Sequence, residues 1–254
     1  MFPEERRQKL ISALEQHYSM SVSEIAGRLG VSEATVRRDL NELQKLGVIR
    51  RTHGGALLAS QRKFEPTYTD KKDRFLPQKQ KIGRVAAGLV EDGETVILDA
   101  GTTTLQMVRH LKEKKNITVI TNAMTIIEEL EGNEELDLVV IGGRYRSSTR
   151  ALVGPMAEEN LQNFHADKVF IAANGCTLTE GLTTPNMTEA FTKRAMVKAG
   201  SKVIAVLDHS KFGEVSMTMI TPLSQLDMII TDDGIDRKLQ KELEKMGVQV
   251  IIAE

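Results

Sequence analysis

The chain has 254 residues, 41% of them hydrophobic, which is enough to fill a small module and one ordinary domain. Its single cysteine, Cys176, excludes an internal disulfide, no apolar run approaches the ~20 residues needed to span a bilayer, and MFPEERRQKL lacks the apolar stretch of a secretion signal, so a cytoplasmic protein is expected. The net charge of -1 conceals opposite halves: residues 1–84 carry 17 Lys+Arg against 10 Asp+Glu and the remainder 17 against 25, the pattern of a polyanion-binding arm on a domain that stays off the polyanion.

Residues 21–51, SVSEIAGRLGVSEATVRRDLNELQKLGVIRR, read as two short helices, a tight turn and a basic wing. Ser23 is positioned to cap a first helix carrying Ile25, Ala26 and Leu29. Gly30 permits the turn, and Ser32 caps a second helix whose inward stripe is Val36, Leu40 and Leu43. At about 100° per residue that stripe turns Ala34, Arg38, Asn41 and Lys45 outward, with Thr35 and Arg37 on the flanks. Small residues at the start of such a helix let its backbone approach base edges, while arginine and asparagine reach guanine, adenine or phosphate in the major groove. The following GVIRRTHGGAL supplies Arg50, Arg51 and His53 before a Gly54-Gly55 turn. A winged helix-turn-helix over residues 1–58 is therefore expected, with DNA contacts at Ser32, Ala34, Thr35, Arg37, Arg38, Asn41, Arg50, Arg51 and His53. The competing reading is a helical hairpin with a solvated charged face, and His53 beside a Gly-Gly turn reads equally as incidental.

Residues 59–77 contain two prolines and no sustained apolar periodicity, which reads as a linker. Much of the basic excess falls in residues 61–84, so part of it belongs to a solvated connection. From residue 78 to the end the pattern is α/β. A helix around 81–89 leads into seven apolar, β-branched runs at 95–101, 117–122, 136–143, 168–175, 201–208, 227–233 and 248–253. Helical stretches at 103–115, 124–130, 156–164, 188–199 and 235–246 separate them. Strands that are apolar nearly throughout are covered on both faces, which predicts a mostly parallel sheet.

The polar residues of this domain collect where the predicted strands end: DAGTTT (99–104), Thr121-Asn122, Gly142-Gly143, Asn174-Gly175 and Asp208 to Phe212. In an open α/β sheet those ends share one crevice, where ligands bind. A strand, a glycine turn and three hydroxyls at a helix start suit a phosphate, and Lys211 adds a charge. Asp99, Asn122 and Glu189 offer acceptors and donors for sugar hydroxyls. Taken singly, the glycines and threonines also read as turns and caps, Asp208 as a cap and Lys211 as solvated; their recurrence favours a sugar phosphate. No Walker A loop, no GxGxxG after the first strand and no His/Cys spacing for a metal occurs, so neither cofactor nor metal is expected. The Met-containing stretch 187–196 reads as helix packing.

With these residues assembled, the chain resembles the DeoR family of bacterial transcriptional repressors nearly end to end. SVSEIAGRLGVSEATVRRDLNELQKLGVIRRTHGGA is similar to that family's DNA-binding signature, and LDAGTTT, VITN, IGG, the NG of AANG, GLTTPNMTEA, LDHSKF and IITDD follow in the family's order. The resemblance implies a sensor domain similar in fold to ribose-5-phosphate isomerase, used for binding instead of turnover. It implies an effector pocket at Asp99, Gly101, Thr102, Thr103, Thr121, Asn122, Gly142, Gly143, Asn174, Gly175, Glu189 and Lys211, to which the loop reading adds Thr104. The expected partners are double-stranded operator DNA, a phosphorylated sugar and further copies of the chain as a dimer or larger even assembly, with no membrane. The expected function is repression of a carbohydrate-metabolism operon, and the alternative is a sugar-phosphate isomerase-like enzyme fused to a DNA-binding module.

Overall fold

The structure is a computed structural model and describes residues 2–16, 20–46, 48–52, 55–58 and 65–254. The chain divides into two compact units, Met1–Phe64 and Glu65–Glu254. No helix among the described residues is long and apolar enough to cross a membrane.

The first unit runs α1 (Pro3–Gln16), β1 (Met20–Ser21), α2 (Val22–Leu29), α3 (Glu33–Lys45), β2 (Ile49–Thr52) and β3 (Gly55–Leu58). Both expected helices and the wing are present, and β1, β3 and β2 form a small antiparallel sheet. Two features differ from the sequence reading. The cap of α2 is Ser21, not Ser23: Ser21 accepts from the Glu24 N–H while the Glu24 carboxylate takes the Ser21 N–H at 2.7 Å, a reciprocal capping box that Ser23 has no acidic partner to form. In addition α1, which was not read, contributes Leu10, Ala13 and Leu14 to a core with Ile25, Val36, Leu40, Leu43 and Ile49. Gly30 ends α2 at φ 65°, where a side chain would be strained, and this left-handed residue starts the tight turn into α3.

The second unit opens with α4 (Tyr68–Lys72) and α5 (Leu76–Gly88), followed by β4 (Thr95–Leu98), α6 (Val108–Leu111), β5 (Thr118–Thr121), α7 (Met124–Leu130) and β6 (Asp137–Val140). The hairpin β7 (Arg144–Arg146) and β8 (Ala151–Val153), α8 (Pro155–Leu161) and β9 (Ala166–Ile171) come next. The chain then runs β10 (Gly175–Thr177), β11 (Gly181–Thr184), α9 (Met187–Ala199), β12 (Gly200–Val206), β13 (Thr218–Thr221), β14 (Met228–Asp232), α10 (Arg237–Lys245) and β15 (Gln249–Ala253).

The seven predicted strands form a parallel sheet in the order β15-β14-β12-β9-β4-β5-β6. Successive strand residues alternate between two cores. Val96, Leu98 and Phe170 pack with α5, α6 and α7 on one face, and Ile97, Val169 and Ile171 with α8, α9 and α10 on the other, which is why the runs carry no polar alternation. A second sheet, β10-β11-β13, is antiparallel.

The linker expected over 59–77 is shorter than its composition suggests, because residues 65–77 belong to the second unit. Glu65 pairs with Arg146, the Tyr68 N–H donates to the Ser148 carbonyl at 2.6 Å, and α5 starts at Leu76. The helix predicted over 103–115 is also shorter, a 3-10 turn at 104–107 continued by the single turn of α6.

Candidate functional site

In the first unit the candidate contact surface is the outward face of α3. Ser32 caps this helix by accepting from the Thr35 N–H at 3.3 Å, and Val36, Leu40 and Leu43 face the core. Ser32, Ala34, Arg37, Arg38 and Asn41 are consequently exposed and Thr35 half-exposed. Arg37 pairs with Glu33 one turn back at 2.8 Å, whereas Arg38 has no partner among the described residues. Arg51 of β2 donates to Asn41 Oδ1 at 2.7 Å, tying the wing to α3 and leaving the Asn41 amide N–H groups for a base edge or a phosphate. Arg50 lies in the same strand with its side chain outside the described residues, and His53 lies outside them altogether.

Asp39, on the inner side of α3, was not singled out by sequence. It is 1% exposed, Arg6 of α1 donates to both its oxygens, one at 3.0 Å, and Arg7 lies 3.5 Å away. A carboxylate can be buried only if paired in this way, so the orientation of α3 is fixed from α1.

In the second unit the direction of winding reverses between β4 and β9. From β4 the chain proceeds outward through β5 and β6, and from β9 in the opposite sense through β12, β14 and β15. The crevice at the carboxyl ends of two such strands is the expected ligand position in an open α/β sheet. Asp99 directly follows β4 and is 1% exposed; it accepts from the Ala172 N–H just past β9 at 3.0 Å and from Lys193 Nζ. Burial raises the Asp99 carboxyl above its ordinary range, against the opposing pull of the Lys193 ammonium. Lys193 also donates to the Ala172 carbonyl at 3.0 Å. Asp99, Asn122, Glu189 and Lys193 line one small cavity with Ala100, Ala151 and Val153.

Lys193 is the first of three lysines here that sequence reasoning missed. Its signal was its spacing, four residues after Glu189 on the same face of α9. Lys71, from the segment expected to be linker, is depressed first by burial and then by Lys193 and Lys211, opposed by Glu189. Lys79 of α5, 3% exposed, donates to the Lys71 carbonyl at 2.5 Å, and burial lowers it from 10.5 to about 8 despite the attraction of Asp208. Lys211 lies 3.8 Å from Asp208. Burial works to raise the Asp208 carboxyl, but Lys211, the Ser210 hydroxyl and Lys79 together hold it below its ordinary value. Its Oδ2 is buried without a hydrogen-bond partner among the described residues. Four ammonium groups from α4, α5, α9 and the turn after β12 thus lie within electrostatic reach of one another, with Lys193 paired to Asp99 and Lys211 beside Asp208. Lys71 and Lys79 make no ion pair with a carboxylate among the described residues, which favours an anion as their partner.

The remaining predicted residues divide by task. The N–H groups of Gly101, Thr102 and Thr103 have no hydrogen-bond partner among the described residues, which leaves a loop of donors beside Asp99. A Cβ on Gly101 would come within 2.8 Å of the Ala172 side chain, so the close approach of this loop to β9 requires glycine. Thr104 donates to the Asp99 carbonyl at 2.7 Å and Thr121 to the Leu98 carbonyl at 2.7 Å, so both hydroxyls serve the loop itself. Asn122 braces the cavity wall, accepting from the Ala100 N–H at 3.2 Å and donating to the Leu152 carbonyl at 2.8 Å. Gly142 and Gly143 form the turn before β7, with Gly143 at φ 147° against Val153. Asn174 accepts from Thr184 at 3.2 Å, and Gly175 opens β10, where a Cβ would meet the Glu214 carbonyl at 2.2 Å. Glu189 accepts from Thr149 and lies 3.1 Å from Arg146.

The family model for the DeoR-like helix-turn-helix domain matches residues 6–62, and that for the DeoR C terminal sensor domain matches residues 75–233. Over its full length the chain is 38% identical to the HTH-type transcriptional regulator GolR of Listeria innocua, covering 100% of both. It is 36% identical to the HTH-type transcriptional regulator GlpR of Haloferax volcanii, covering 99% of this chain and 98% of that protein. It is 35% identical to the putative aga operon transcriptional repressor of Escherichia coli O157:H7, covering 98% and 93%. Among solved structures, ribose 5-phosphate isomerase A from Methanocaldococcus jannaschii overlaps 53% of each chain at 18% identity with a TM-score of 0.39.

Proposed function

This chain belongs to the DeoR family of transcriptional regulators, and we propose that it represses a carbohydrate-metabolism operon by binding operator DNA through the first unit while a phosphorylated sugar in the second unit modulates that grip. The relatives named as repressors support the first half of this reading. The observation that carries the second half is the small cavity lined by Asp99, Asn122, Glu189 and Lys193 at the carboxyl ends of β4 and β9, with Lys71 within electrostatic reach of Glu189, Lys193 and Lys211. A phosphate dianion relieves the repulsion among the ammonium groups, and sugar hydroxyls pair with the acceptors.

Binding without turnover is the reading the side chains favour. Asp99 is held by Lys193 and the Ala172 N–H, and Glu189 by Thr149 and Arg146, so neither carboxylate is free to act as a general base. Burial pushes the Cys176 thiol up to about 12, which removes it as a nucleophile. One helix-turn-helix reads few base pairs, so the active form is a homodimer or a larger even assembly on half-sites about one helical turn apart.

Thermal-shift screening against pentose and hexose phosphates tests the pocket, because a ligand of the folded form raises its apparent stability. A hit is expected to lose its effect in Lys211→Ala while that variant still binds DNA. An undiminished dose response would remove this lysine from the site. NMR of the same mixtures separates the enzymatic alternative, for which conversion of any sugar phosphate above background would be required.

A further inference from the structure

The hairpin β7–β8 touches both the cavity and the first residues of the second unit. On the cavity side, Asn122 and Leu152 exchange two hydrogen bonds of 2.8 Å, Ala123 bridges to Ala151, and the Met124 N–H donates to the Arg150 carbonyl at 3.0 Å. Thr149 of the turn donates to Glu189, and Arg146 Nη1 lies 3.1 Å from the same carboxylate. On the other side the same turn holds the segment that opens the unit. Arg146 takes Glu65 in a two-point grip, the Ser148 carbonyl accepts from Tyr68, and the Arg150 guanidinium lies 5.7 Å from the Tyr68 ring. Glu65 directly follows the last residue of the first unit.

Arg146 is therefore one cation divided between two carboxylates, Glu189 of the cavity and Glu65 of the leading segment. All three side chains are largely buried, at 13%, 9% and 15% exposure, where charge pairs are little screened. We infer that Arg146 couples the cavity to the DNA-binding unit: a ligand hydroxyl that donates to Glu189 shifts the guanidinium toward Glu65, so the leading segment is held differently in the filled and empty states. The inference rests on the proposed sugar-phosphate pocket and adds the route by which its occupancy is read. It supplies what linkage requires, a contact whose strength differs between the two states. Glu65 does not line the cavity, so altering it separates sensing from response.

The test uses the full chain, a duplex enriched by the parent protein from a random-sequence pool, and pentose and hexose phosphates with inorganic phosphate as control. In Glu65→Gln the side chain keeps its shape and loses its charge. Its operator affinity without ligand and its thermal-shift midpoint with sugar phosphate should stay within about threefold of the parent. The ratio of operator Kd with and without sugar phosphate, expected in the parent at about 5–150-fold, should collapse toward one. Arg146→Lys, which keeps the charge but loses the planar fork, should lower the ratio as well, and the double variant should be no worse than either single. Two folded variants that retain the parent's ratio would overturn the coupling while leaving the pocket standing. A parent that responds to no sugar phosphate would overturn the pocket and the coupling with it.

Discussion

Replacing Lys79 with methionine should make the protein more stable and less responsive at once. Burial lowers this ammonium from 10.5 to about 8, and at about 1.4 kcal/mol per pH unit its charge costs the folded state about 3 kcal/mol at neutral pH. Lys79→Met removes that cost and preserves most of the volume, but it gives up the hydrogen bond to the Lys71 carbonyl, worth about 1 kcal/mol. The net gain is about 2 kcal/mol, roughly 4–8 °C in the melting transition of a unit of this size. The sign against pH is fixed by the direction of the shift. The folded-state value lies below the unfolded one, so the cost is complete below about 8 and disappears as the pH rises to 10.5, where lysine is neutral in both states. Calorimetric melts of parent and variant at pH 7 and pH 10 should therefore show a wide gap that narrows. A variant less stable than the parent at pH 7, or a gap unchanged with pH, would refute the assignment of Lys79 as a buried cation awaiting an anion.

The same lysine links ligand binding to protons. A bound phosphate dianion raises its pKa, so above pH 8 binding takes up a proton and affinity falls by at most about tenfold per pH unit. Calorimetric titration at pH 9 in buffers of different ionisation heat should reveal that uptake, and identical heats in all buffers would exclude it. On the DNA side, Arg38→Ala should weaken operator binding by about 1–3 kcal/mol, read by anisotropy against the parent, and an unchanged affinity would remove Arg38 from the contact face. Asp39→Ala strands Arg6 and Arg7 against the inner side of α3 and should cost the first unit about 3–5 kcal/mol, the range for breaking a buried pair. Its melt and its DNA binding should fail together while sugar-phosphate binding persists, and an unaltered melt would contradict the account of how α3 is held.

Much of this organisation is legible in the residues themselves. The seven β-branched runs are the seven strands of the parallel sheet; the central strands are buried on both faces and so carry no polar interruption, while the edge strand β6 opens with the exposed Asp137. The elements that escaped reading are short and mixed in character: β7 is RYR and β10 is GCT, three residues each, too brief for any period to emerge. Helix α1 has its apolar stripe at Leu10, Ala13 and Leu14, sparse among ERRQK and EQ. The cap at Ser21 was readable, since Ser21, unlike Ser23, stands three residues before a glutamate. The candidate site was half legible. Asp99, Asn122 and Glu189 do share a cavity, but Lys71 and Lys79 sit in a stretch whose many charges resemble a solvated connection. Only the tertiary packing of α5 buries Lys79 and brings Lys71 beside it. Thr104 and Thr121 appear in sequence as free hydroxyls, but Thr104 turns back on carbonyls of its own loop and Thr121 engages the Leu98 carbonyl of the neighbouring strand, which nothing local reveals.

The central claim is that a groove-reading face and a sugar-phosphate pocket in one chain control each other. It is tested most directly by titrating the protein into a duplex selected from random DNA and into a scrambled duplex of equal length, at one salt concentration, with and without the sugar phosphate that most raises its melting temperature. The account predicts tighter binding of the selected duplex and a change in that affinity alone of about 5–150-fold on adding the ligand. Equal affinity for both duplexes, or a selective affinity that no sugar phosphate alters, would contradict it.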